Sequence, residues 1–309
     1  MLKLSRELYK ITGLRKYADY YENTFMNAIV SSQNPETGMT MYFQPMASGY
    51  FKVYSDPYEN FWCCTGSGME SMTKLNDSIY YRKGSTVIVN QYISSVLTNT
   101  ENGVVITQQS EIPYGEKAAF KVTFLNPKNT DTADKTLSIM LRIPDWTVDC
   151  PVIKVNGAEI DYVPSGGYAT ITGLGDGDSL EITLPMKLQA YGLDGSNRVV
   201  AFKYGPALLS ANLGKIITTK NTQHTENHGI EVRKPLRMEG LDEYIVIDSE
   251  YGTPVKWLDK LDENLVKAEG KLEFRLKNTN RSELVFTPHY SKYNQYYGIY
   301  WYLSSDCNQ

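Results

Sequence analysis

Apolar positions change their spacing partway along this chain. Met1, Leu4, Leu8 and Ile11 recur at helical spacing, and Tyr17, Tyr21, Phe25 and Ala28/Ile29 form a second stripe of the same period. This pattern predicts a helical hairpin over residues 1–32, with Gly13 as a C-cap. The run QNPETG then breaks the helix, and residues 39–54, MTMYFQPMASGYFKVY, read as a short β-hairpin turning at Ala47-Ser48-Gly49. A third helix is expected after residue 64. Ser67 and Glu70 stand at capping-box spacing, and Met69, Met72, Leu75 and Ile79 supply its buried stripe.

Beyond about residue 80 the period shortens. STVIVNQYISSVLT, GVVITQQSEI, KAAFKVTFL, KTLSIMLRIP, GYATITGL and DSLEITLPM alternate or are rich in β-branched residues, and Gly, Asn, Asp and Pro separate them. That is the rhythm of a β-sandwich. A polar stretch over 210–229 reads as a long loop, after which strands resume with EYIVID, KLEFRLKN, SELVFTP and GIYWYL. The expected class is therefore mixed and mostly β. A helical part spans 1–80, and two β-sandwich domains span 81–195 and 196–309. A helical layer needs a partner to bury its stripe, and the first stripe opens at Met1 with no capping residue before it. Both points predict further sequence upstream.

The totals remove several classes. Lys and Arg number 31 against 35 Asp and Glu, a net charge of −4, which leaves no electrostatic footprint for nucleic acid. No apolar run reaches the roughly 20 residues of a membrane span, and MLKLSRELYK is too charged for a signal peptide. The chain has 24 tyrosines, which suit both sandwich cores and sugar-facing surfaces.

The unusual chemistry is ENFWCCTGSGMES, with adjacent Cys63 and Cys64 between bulky aromatics and small residues. Two small thiols after Trp62 can simply pack. Three features point instead to thiolates. A predicted helix follows directly, with amides and a dipole that favour a thiolate, the Gly/Ser-rich turn lets backbone approach a ligand, and the flanking Phe61 and Trp62 can wall a pocket. Neighbouring thiolates suit zinc, but two ligands do not complete a tetrahedral site. Cys150 and Cys307 lie at no usual ligand spacing from the pair. His224 and His228 sit four apart in the polar stretch, where a solvated pair is the plainer reading.

FWCCTGSGMESMTKLNDSIYY resembles the double-cysteine segment of the β-L-arabinofuranosidase-like glycoside hydrolases, families 127 and 146. MLKLSRELYKITGLRKYADYYENTFMNAIVSSQNPETGMTMYFQPM is similar to the segment before it, and TPHYSKYNQYYGIYWYL to the closing strands. The resemblance implies the C-terminal remnant of an (α/α)6 barrel followed by two β-sandwiches. It further implies retaining hydrolysis of arabinose-containing oligo- or polysaccharides by an exo-acting enzyme with a zinc-bound cysteine nucleophile. Carried over by residue, Cys63 is the nucleophile and a zinc ligand, and Cys64 is a zinc ligand. Glu22 and Tyr42 fall where the family contacts sugar. The family's Glu-x-Cys ligands and its acid/base Glu belong upstream of Met1, so this chain is expected to be inactive alone. Glu59 and Glu70 are near the pair, but Glu70 is expected to serve the cap. The rival expectation is a non-catalytic carbohydrate-binding or structural β-sandwich protein, and a weaker one is a zinc or redox thiol protein.

Overall fold

A computed structural model of the chain describes residues 1–58, 61–101, 103–125, 136–193, 198–216, 222–227 and 230–305. The chain folds into two units, each discontinuous in sequence: Met1–Glu22 with Lys74–Met186, and Asn23–Thr73 with Lys187–Gln309. Among the described residues no helix is long and apolar enough to cross a membrane.

The first unit opens with helices α1 (Leu2–Thr12) and most of α2 (Arg15–Thr24). Gly13 ends α1 in the left-handed region, at φ 66°, and its N–H returns to the Tyr9 carbonyl. The apolar stripe of α1 does not face inward, however. Ser5 and Tyr9 are its buried residues, whereas Leu4 is 51% and Ile11 80% exposed. Tyr9 and Ala18 pack with Ile88 and Tyr168 from the sheet below, so one large ring rather than the aliphatic stripe sets which side is buried.

That sheet has four strands in the order β1 (Tyr80–Lys83), β2 (Thr86–Val89), β6 (Leu137–Arg142), β9 (Tyr168–Leu174). A six-stranded sheet has the order β3 (Ser95–Asn99), β4 (Val104–Ser110), β5 (Lys117–Phe124), β10 (Ser179–Thr183), β7 (Val152–Val155), β8 (Ala158–Glu159). In β5, Ala118, Phe120, Val122 and Phe124 are buried while Lys117 and Lys121 are exposed, so this sheet is apolar on one face only. Val87, Ile88 and Val89 of β2 are all buried, so the four-stranded sheet is covered on both faces, by the helices and by the other sheet. The predicted strand STVIVNQYISSVLT divides between the two sheets as β2 and β3. β2 pairs parallel with β6, a crossover that no local pattern signals.

The second unit contains β11 (Leu188–Gly192), β12 (Val199–Tyr204), β13 (Ala207–Lys215), β14 (Thr222–Asn227), β15 (Ile230–Pro235), β16 (Tyr244–Val246), β17 (Leu265–Lys267), β18 (Phe274–Leu276), β19 (Val285–Pro288), β20 (Gln295–Gly298) and β21 (Trp301–Ser304). The long β13 joins β12 to β19 and carries strands on both sides of the unit. Phe202, Leu209, Phe274, Phe286, Trp257 and Trp301 come from both ends of this array and meet in one core. Trp257 belongs to α4 (Pro254–Leu258), a short helix that starts on Thr253, whose hydroxyl accepts from the Lys256 N–H. The polar 210–229 stretch is not a long loop. β13 runs through Lys215, and β14 pairs with β15 as a hairpin.

Two further expectations are corrected in the second unit. Residues 39–54 form no continuous hairpin. Met41 and Tyr54 make a single antiparallel bridge, and Tyr50 pairs instead with Tyr297. The competing partner is a whole strand edge, which captures Gly49 as well through its N–H to the Tyr297 carbonyl. The third helix, α3 (Cys63–Thr73), begins at the cysteines rather than after them. Ser67 therefore lies inside it and Glu70 is exposed, so the expected cap does not form; of the expected stripe, Met69 is 52% exposed, Met72 and Leu75 are half-buried, and Ile79, beyond the helix, is buried.

Candidate functional site

The start of α3 is fixed by Trp62, which is 3% exposed and whose carbonyl accepts from the Thr65 N–H at 3.0 Å. Burying the indole places the next two side chains in the first helical turn. Cys63 is exposed and Cys64 half-buried, and their sulfurs lie 3.9 Å apart, unbonded. Free helix amides and the positive end of the dipole favour negative charge in this turn. Burial pushes the Cys64 thiol up, and the neighbouring Cys63 adds to that shift. The pair therefore resists carrying two negative charges without a cation beside it.

The 40–42 segment lies against this turn. The Thr40 hydroxyl donates to the Cys64 carbonyl at 3.5 Å, and the Tyr42 ring meets Trp62 edge-on at 5.8 Å between centroids. Close approach depends on Gly68. A Cβ there would lie 2.5 Å from Thr40 Cγ2 and 2.8 Å from its Oγ1. Thr40 is buried and has little room to yield. Replacing Gly68 by Ala improves helix propensity by about 1 kcal/mol. We nevertheless expect a net loss, because overpacking costs roughly 1–3 kcal/mol. Chemical denaturation of Gly68→Ala checks this, and Thr40→Gly in the same chain should recover most of the loss.

Zinc fits this pair in part. Zn–S bonds of about 2.3 Å in a tetrahedron set sulfurs roughly 3.8 Å apart, close to the observed 3.9 Å. Among the described residues no group of three or more His, Cys, Asp or Glu side chains converges. Cys150 lies in the first unit and is exposed. His228, Cys307 and Glu59 lie outside the described residues, as does the side chain of His224.

Tyr42 and the cysteines thus share one unit, whereas Glu22 belongs to the other. Glu22 is buried at the end of the first unit's helical segment. Its Oε1 accepts from Arg142 Nη2 at 2.5 Å and its Oε2 from Trp146 Nε1 at 2.7 Å. Arg142 also donates through Nη1 to Asp19 at 2.6 Å and through Nε to the Asn90 carbonyl at 2.6 Å. Arg15 reaches Asp19 at 3.0 Å from the helix itself. Burial works against the charge on Arg142, but Glu22 and Asp19 outweigh it and hold the guanidinium protonated. For Asp19 burial wins, and its carboxyl is raised despite Arg142. Sequence reasoning missed Arg142 and Trp146. The available signal was an arginine closing the apolar strand LSIMLR, where a solvent-facing residue would be ordinary.

Comparison with known proteins divides the chain differently, since one family model takes in both Glu22 and the cysteines. Residues 1–77 match the family model described as the β-L-arabinofuranosidase GH127 catalytic domain, and residues 86–186 match the GH127 middle domain. No curated protein matches. Among solved structures, a protein titled glycoside hydrolase is 15% identical with a TM-score of 0.64, and 98% of this chain covers 51% of it. A GH127 β-arabinofuranosidase is 16% identical with a TM-score of 0.65, and 98% of this chain covers 48% of it. A GH127 β-L-arabinofuranosidase from Geobacillus stearothermophilus T6 is 15% identical with a TM-score of 0.63, again at 98% and 48%. The chain spans about half the length of these proteins and shares the fold of that half.

Proposed function

The chain belongs to the GH127-like β-L-arabinofuranosidase family, and from that premise we propose that it is the C-terminal part of a retaining glycoside hydrolase whose nucleophile is Cys63. The observation that carries this reading is the exposed Cys63 sulfur in the first turn of α3, 3.9 Å from a second thiol. An exposed, helix-terminal thiolate is a strong nucleophile, and it can take the part that a carboxylate plays in most retaining enzymes.

In this reading Cys63 and Cys64 supply two sulfur ligands to zinc, which when bound provides the positive charge that keeps both thiols deprotonated. The protein residues then divide the work. Trp62 anchors the turn, Thr40 holds the Cys64 carbonyl, and Tyr42, edge-on to Trp62, serves as a wall for a furanose ring. The Cys63 sulfur attacks the anomeric carbon and the glycosidic C–O bond breaks. A carboxylic acid that this reading places outside these 309 residues protonates the departing oxygen. Water then displaces the sulfur, and two inversions give retention. Glu22, with both carboxylate oxygens engaged, is assigned to fixing its helix on the sandwich. The substrate class is a terminal arabinofuranosyl residue on a plant-type glycan.

A direct test uses the purified chain with an aryl β-L-arabinofuranoside. With two of four zinc ligands and no acid, the expected results are weak zinc retention and no release above background. Release that Cys63→Ser abolishes would show that the chain is catalytically complete and would sink this part of the reading.

A further inference from the structure

The second unit buries two lysines that the proposed chemistry does not use. Lys52 is 6% and Lys292 1% exposed. Lys52 lies in the extended 50–55 segment, and its Nζ donates to the His289 carbonyl at 3.1 Å. Lys292 follows the 3-10 turn His289–Ser291, and its Nζ donates to Asn212 Oδ1 and Thr287 Oγ1. Neither amine forms an ion pair among the described residues.

The donor count favours the uncharged form. An ammonium has three N–H donors and no acceptor. Charged, Lys52 would leave two donors unmatched and Lys292 one, in a buried setting where an unmatched donor is costly. The surrounding groups do little to hold charge. His289 contributes a buried imidazole, 3.3 Å from Ser210 Oγ and edge-on to Tyr297. Burial holds that imidazole well below its usual range, and the two lysines add to this. Tyr54 and Tyr297 are held protonated by burial, and Glu273 alone among the described carboxylates acts on Lys292.

The 50–55 segment is also the support of the 40–42 segment. Tyr54 bridges Met41, and the Ser55 N–H donates to the Thr40 carbonyl at 2.9 Å. Thr40 in turn holds the Cys64 carbonyl. We propose that Lys52 and Lys292 form a proton-operated lock: uncharged, Lys52 ties the 50–55 segment to the 289–292 turn and Lys292 ties that turn to Asn212 and Thr287, and proton uptake loosens both ties together with the layer beneath the thiol helix.

The sign follows from linkage. Burial holds both amines at about 7, whereas a solvated lysine titrates near 10.4. The opened segment thus binds more protons than the closed one between those limits. Opening is favoured as pH falls through that window, and it levels off below about pH 7, where both states are protonated.

Hydrogen exchange of the intact chain, read by mass spectrometry from about pH 9 to about pH 6 and corrected for intrinsic rates, tests the lock. Peptides covering 40–42 and 50–55 should open about a hundredfold more per pH unit, about tenfold for each lysine, down to about pH 7, then plateau. Lys52→Met/Lys292→Met should abolish the slope, and Lys52→Met alone should reduce it. If the double variant does not fold, the wild-type profile and the single variant decide. A flat wild-type profile overturns the proposal, as does a slope that survives the loss of either lysine unchanged. No substrate enters the measurement, so its outcome is separate from that of the glycosidase reading.

Discussion

Replacing Arg142 with Met should destabilise the first unit by about 3–5 kcal/mol, the usual result of removing one partner from a buried ion pair. The variant leaves Asp19 and Glu22 buried without their cation, and the Asn90 carbonyl without its donor. The loss should shrink as pH falls. Asp19 is already raised by burial, against the pull of Arg142. Without the guanidinium its folded-state pKa rises further above the unfolded value. The folded variant then binds the extra proton, so its stability recovers as pH falls toward about 4–5. Denaturant titrations of wild type and variant at neutral and acidic pH measure this. Adding Asp19→Asn and Glu22→Gln to Arg142→Met should return part of the loss at neutral pH, because the stranded charges are then gone. Equal stability of wild type and Arg142→Met at neutral pH would show that the cluster is not holding the helix.

Cys63→Ser should have the largest effect on catalysis. On the proposed reading, in a protein that carries this chain as its C-terminal half, we expect arabinoside turnover to fall by about ten-thousandfold or more, the scale on which a removed nucleophile is felt. A hydroxyl at this position lacks the polarisability and nucleophilicity of the thiolate. Cys64→Ser separates the two sulfurs. It should weaken zinc binding and reduce turnover, yet still allow a furanoside-derived affinity label to mark Cys63, as peptide mass spectrometry would read. Comparable turnover in Cys63→Ser, or a label that lands on Cys64, would reassign the nucleophile.

The parts of the fold that were legible in sequence are those where one face meets water. β5 was readable because Lys117, Lys121 and their neighbours alternate with a buried Phe and Val. The α1 stripe misled for the complementary reason. Amphipathicity identifies a helix, but it identifies the buried side only when the apolar face has a partner, and here Tyr9 packs on the sheet from the other side. The start of α3 could not be read from capping residues because a tertiary contact, the burial of Trp62, sets it. Cys63 and Cys64 stand out in the sequence as adjacent thiols before a predicted helix, whereas their assigned roles, and the choice of Tyr42, rest on the resemblance. Arg142 and the lysines were invisible for a simpler reason. Most of their partners lie more than fifty residues away, as with Arg142 and Glu22 or Lys52 and His289, and a charged residue in a strand or turn ordinarily faces solvent.

The outward stripe on α1 also makes this chain surface-active. Met1, Leu4, Ile11 and Leu14 offer water a narrow oily band on a well-ordered helix, next to the charged Lys3, Glu7 and Lys10. Such a helix adsorbs at air–water and plastic interfaces and partitions into detergent micelles, much as an interfacial peptide does. Glutamate at Leu4 or lysine at Ile11 would remove that behaviour without touching Ser5 or Tyr9, the two residues through which α1 is buried.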